Sequence, residues 1–130
     1  MGADNGIFEN EDASDWVYDL RESSGPDLLQ EAFSAINGHD YPESPDCSIA
    51  LAAAEIVAAA KGKPSPDLPD GARKWLGDQI HVNSITKLAK TAIAAVNKIS
   101  VKSELRDSWE ESDHWHEWQQ AVEDLRRRLK

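Results

Sequence analysis

One cysteine, Cys47, in 130 residues excludes an intrachain disulfide and suits a reducing compartment. No apolar run follows a basic start, and the first base is Arg21, so a secretory signal is not expected. The longest apolar stretch, Ile49 to Ala60, is interrupted by Glu55 and falls short of the roughly 20 residues a membrane span needs. The expected location is therefore the cytoplasm, with no membrane partner. Phosphate-cradling patterns of the Gly-x-x-x-x-Gly-Lys-[Ser/Thr] and Gly-x-Gly-x-x-Gly types are absent, so no cofactor is expected. Bases are scarce as well, with 14 against 24 acids and a net charge of -10. Such a surface repels phosphate backbones and argues against direct nucleic-acid binding. The imbalance belongs to the first half, where residues 1–60 hold 13 acids and the single base Arg21.

A hydrophobic share of 40% with five tryptophans excludes a disordered chain, and the length suits one domain spanning residues 1–130. Sustained period-two alternation is missing, which leaves an all-α class. Ala13, Trp16, Val17 and Leu20 share one helical face, predicting a first helix over about Glu11 to Glu22 with Asn10 or Asp12 as its cap. Pro26 opens a second helix carrying Leu28, Leu29, Ala32, Phe33 and Ile36, and Gly38 stops it. From Ser48 to Ala60 a third helix, capped by Ser44 or Asp46, is apolar on nearly every face and reads as a buried centre. The prolines of "KGKPSPDLPDG" impose an extended strap before a short helix near Ala72 to Gln79. Ile85, Leu88, Ala89, Ala92, Ile93, Val96 and Ile99 form one amphipathic helix. Ser103 caps a short helix in "SELRDSWEES". Asp113 is expected to cap a last helix with Trp115, Trp118, Val122, Leu125 and Leu129 on one stripe, and Arg126 to Arg128 and Lys130 complement its C-terminal dipole. The architecture expected is a compact bundle of about six helices around the central apolar one. The head, "MGADNGIF", is expected to tuck Ile7 and Phe8 against the core near Trp16.

The head "MGA…GIFENEDASDWVYDL", the middle "YPESPDCSIALAAAEIVAAAKGKPSPDLP" and the tail "SELRDSWEES" with "EWQQAVEDLRRRL" together resemble a bacterial family known as domain of unknown function 4259. The resemblance covers almost the whole chain. It implies a fold group and brings no activity with it. Where that family commonly has a tryptophan and a further glycine after Met-Gly-Ala, this chain has Asp4 and Asn5 alone.

Asp12, Asp15, Asp19 and Glu22 fall at spacings of three, four and three, a single stripe roughly 130° around the first helix from its apolar face. The plain reading is a solvated face. The functional reading is a docking strip for a basic protein, because aligned like charges cost stability that a partner's Lys or Arg recovers. An immunity or antitoxin-type inhibitor of a basic toxin or nuclease is one form of such a partner-binding module. Lys87, Lys90 and Lys98, opposite the apolar face of their helix, offer a second version in which the acids are answered within a homodimer. A reading from another class makes the chain a small enzyme or metal-dependent protein using His39, Cys47 and Glu55, with the thiol activated near a helix start. A third makes it a structural protein whose acidity only maintains solubility.

Those catalytic groups lack a local signature, so no catalytic residue is assigned. His114 and His116, two apart on a helix, point to nearly opposite sides and cannot chelate one ion, so no metal site is assigned either. Glu55, alone among apolar neighbours, must find solvent or a partner, since an unpaired buried charge costs several kcal/mol. A gap in the packing or the amides of the N-terminal segment would serve.

Overall fold

The computed structural model describes residues 11–23, 26–66, 68–78 and 82–130. Within them the chain forms α1 (Glu11–Arg21), α2 (Asp27–Asn37), α3 (Ser44–Ala60), α4 (Asp70–Gly77), α5 (Val82–Thr86), α6 (Ala89–Val101), α7 (Glu104–Glu110) and α8 (Trp115–Leu129). No strand occurs among the described residues, so the fold is all-α. No helix among them is long and apolar enough to cross a membrane. The expected packing of Ile7 and Phe8, the cap at Asn10 and the expected bonds of Glu55 to amides of the N-terminal segment fall outside the described residues.

Helix α3 is the centre because its side chains are small and apolar in every direction. Ala50, Ala52, Ala53, Ala54 and Ala58 are all fully buried, and a methyl group lets a neighbouring helix approach from any side. Helices α1, α2, α6 and α8 pack on α3, and α1 also meets α4, while α6 lies between α2 and α8. The apolar stripes read from the sequence face this centre: Ala13, Trp16, Val17 and Leu20 of α1, Leu29, Ala32, Phe33 and Ile36 of α2, and Trp118, Val122, Leu125 and Leu129 of α8 are buried.

The ends of α3 differ from expectation. It starts at Ser44, four residues before Ser48, and neither Ser44 nor Asp46 caps it; the N-cap residue is Glu43, whose side chain makes no capping bond. Pro45 has no N–H to satisfy in the first turn, and the Ser44 amide donates to Glu104 Oε1 of α7 at 2.8 Å. A carboxylate from another helix thus does the capping. At the other end Gly62, with φ of 85°, closes a Schellman pair in which Lys63 N–H donates to Ala58 O at 3.0 Å and Gly62 N–H to Ala59 O at 2.9 Å.

Other boundaries also moved. Asp12 lies inside the first turn of α1, so its side chain acts on the helix dipole and is not the cap residue. The single amphipathic helix through Ile85 and Ile99 is divided at Lys87 and Leu88, where Leu88 N–H donates to Ile85 O at 3.0 Å and tightens a turn. Asp113 does not cap α8; His114 occupies that position, and its N–H donates to Ser112 Oγ at 3.1 Å. Ser103 caps α7 as expected, its Oγ accepting from Arg106 N–H at 3.0 Å and donating to Ile99 O at 2.8 Å. One fully buried hydroxyl therefore serves the end of α6 and the start of α7. Ser103→Ala should lower stability by about 1–2 kcal/mol in urea unfolding monitored by circular dichroism.

Candidate functional site

The acidic stripe is fully displayed. Asp12, Asp15 and Asp19 of α1 are exposed, as is Glu22 in the turn that follows it, and among the described residues no ion pair reaches any of them. Arg21 does not neutralise the row; its side chain lies against α4, so close that a Cβ on Gly71 would stand 2.8 Å from Arg21 Cδ. Tyr18, 62% exposed, borders the carboxylates. The opposite face of α1 is held in the core, and Trp75 Nε1–H of α4 donates to Ser23 O at 3.0 Å just beyond its end. The stripe therefore sits on a helix whose opposite face is packed into the core.

His39, Cys47 and Glu55 do not converge. His39 is exposed in the loop after α2. Cys47 and Glu55 are eight residues apart on α3, about 12 Å along its axis. Cys47 is fully buried, and its thiol lies 3.7 Å from Pro42 O. Burial pushes the thiol pKa up to about 11 against the opposing pull of the Ser103 hydroxyl and the Leu105 backbone. A thiol held in that form is a poor nucleophile near neutrality.

Glu55 is 1% exposed and has found a partner that the sequence reading did not assign. Arg128 of α8 grips it in a two-pronged pair, Nη1–H to Oε1 at 2.8 Å and Nη2–H to Oε2 at 3.0 Å. Arg128 Nε–H donates to Asp124 Oδ2 at 2.8 Å, and Nη1 also reaches Lys63 O at 3.3 Å. Burial alone would lower the Arg128 pKa, but the bonds and charge of Glu55, joined by Asp124, raise it overall. The carboxylate is engaged in holding α8 to α3 and is not presented to a substrate. A signal for the pair was present: Arg128 falls between Leu125 and Leu129 on the core-facing side of its helix, as Glu55 does on α3. It was read only as part of a basic run complementing a helix dipole.

Other polar contacts tie the loop before α3 to α7. Tyr41 Oη–H donates to Asp107 Oδ2 at 2.6 Å, and this bond pushes the Tyr41 pKa up to about 12. Glu104 N–H donates to Pro42 O at 3.0 Å. His114 and His116 are exposed and separately engaged, His114 Nδ1 with Glu117 at 3.0 Å and His116 Nε2 with Gln120 at 3.2 Å. Beneath them Trp118 is buried between two half-buried rings, with centroids 6.4 Å from Trp109 and 5.6 Å from Trp115. The Arg106 guanidinium lies 5.1 Å from the Trp115 ring centre. Trp115 and Trp118 are thus structural packing, as expected. Among the described residues no group of three His, Cys, Asp or Glu side chains could hold a metal ion.

With this geometry in place, comparison with known families is decisive for the fold group: the model described as Domain of unknown function (DUF4259) matches residues 2–121. The chain belongs to the DUF4259 family. No curated protein and no solved structure matches it. The DUF4259 match ends seven residues before Arg128, so this partner of Glu55 lies beyond the matched segment, together with Val122, Leu125 and Leu129.

Two measurements examine this site. Arg128→Leu alone should cost about 3–5 kcal/mol in urea unfolding, while Glu55→Leu with Arg128→Leu should recover most of the loss, because the penalty comes from stranding one charge. Cys47 in the native protein should resist iodoacetamide at pH 8 and react at a rate that follows the unfolded fraction as urea is added; rapid native alkylation would revive the thiol-enzyme reading.

Proposed function

We propose that this DUF4259 chain is a non-enzymatic, acidic protein-binding module. The observation that carries the reading is the row Asp12, Asp15, Asp19 and Glu22, exposed beside Tyr18 and without an ion pair among the described residues. Like charges three and four residues apart on a helix repel, and the cost is recovered when a cationic surface covers them. A negative helix face packed on a core accelerates capture of a positive partner, and an exposed tyrosine adds the kind of large amphipathic contact that dominates interface energies. The partner best matched to this face is a basic protein. An inhibitor of a basic toxin or nuclease, of the immunity or antitoxin kind, fits that chemistry: its carboxylates would cover cations meant for phosphates. The same charge disfavours nucleic acid and anionic membranes as direct partners. The cytoplasm is the compartment that suits the free, buried Cys47. The homodimer version would set the same acids against Lys87, Lys90 and Lys98 of a second copy.

Asp15→Lys with Asp19→Lys should leave the circular dichroism spectrum unchanged and slow association with a basic protein captured from the native host by about tenfold or more at low salt, the difference shrinking as salt rises. Capture by the double variant that matched the original chain in rate and salt dependence would refute the docking role.

A further inference from the structure

At the C-terminal end of α3 an open cavity of about 300 Å³ is left between that helix, the proline-rich strap, α4 and α5. Its walls are largely apolar. Ala59 and Ala60 come from α3, Leu68 from the strap, Leu76 from α4 and Val82 from α5, and all but Leu68 are only half-buried. The volume is at the lower end of the range of small-molecule sites, about 300–1,000 Å³.

Among the described residues that line the cavity, Arg73 alone carries a charge. The Arg73 guanidinium is steadied by the strap, Nε–H donating to Leu68 O at 3.3 Å and Nη2–H to Ser65 O at 3.1 Å. Arginine carries five N–H donors, so these two bonds orient the group and leave donors for a ligand. No carboxylate pairs with Arg73 among the described residues. The segment is also less acidic than the rest: residues 61–78 hold four bases and three acids in a chain of net charge -10, so an anion is not repelled locally.

The geometry points to a binding site for a small monocarboxylate with an apolar tail. The tail lies in the trough of Ala59, Ala60, Leu76 and Val82, and the carboxylate takes the guanidinium donors that the strap leaves free. One guanidinium fork matches one carboxylate; a phosphate dianion would call for a second cation on the cavity wall, and among the described residues none lines it. A neutral apolar ligand would leave the guanidinium donors not taken by the strap unused. The site is built from different residues than the α1 stripe and does not depend on the docking reading.

Titration of the full chain with sodium octanoate, followed by backbone amide NMR with 1-octanol as the uncharged control, tests the assignment. Saturable shifts are expected around residues 59–60, 73–77 and 82, with octanol binding about tenfold more weakly than octanoate and Arg73→Gln reducing octanoate affinity by a similar factor. Gly77 also lines the cavity, and a Cβ there would meet nothing within 4 Å. Gly77→Leu, which has room at Cβ among the described residues, should therefore compete for the space and abolish binding, with folding checked by circular dichroism. No saturable shift, shifts centred elsewhere, equal affinity for octanoate and octanol, or undiminished octanoate binding by folded Arg73→Gln would each overturn the proposal. The comparison of octanoate with octanol on the unaltered chain holds even if a variant fails to fold.

Discussion

A carboxylate in the middle of the most buried helix constrains the rest of this molecule. Glu55 is surrounded by alanine, isoleucine and valine on α3, where a stranded charge would be more costly than many packing defects. Arg128 meets it with two charge-assisted bonds, and satisfying both oxygens at once fixes the rotation and depth of α8 against α3. Lys61 Nζ–H, donating to Leu129 O, also holds the last turn. The final helix is thereby set in register by polar contacts, and the leucines beside Arg128 fill the space that this register leaves.

The same division of labour recurs at the opposite end of α3. Small side chains bring the helices close, and a few polar groups decide how they are placed. Glu104 caps α3 from α7, its own amide is bonded to Pro42 O, and Tyr41 holds Asp107. Cys47 lies beneath this corner with its thiol kept protonated by burial. Cys47 and Glu55, which suggest catalysis when read along the chain, are here parts of joints between helices. What remains free for a partner is at the periphery: the carboxylates and Tyr18 of α1, and the apolar hollow beside Arg73.

The helical class, the buried centre and the core-facing stripes were legible because they depend on local periodicity, which α1, α2, α3 and α8 express without help from the rest of the chain. The acidic stripe was legible for the same reason: spacings of three and four on one helix need no tertiary information. The capping of α3 was not, because a carboxylate 60 residues away supplies it. Nor was the turn at Lys87 and Leu88, since the apolar spacing continues through it and only the close approach of backbone groups reveals the break.

The sequence by itself determined which faces of the helices are apolar, where the negative charge is concentrated and that Glu55 requires a partner, since each follows from residue type and spacing. Tertiary structure alone decided that Arg128 meets Glu55, that His39, Cys47 and Glu55 remain apart, and that Arg73 overlooks a hollow. Pairing across 73 residues of chain depends on how helices cross, and crossing is set by the summed fit of side chains from several elements, a quantity that no single segment encodes.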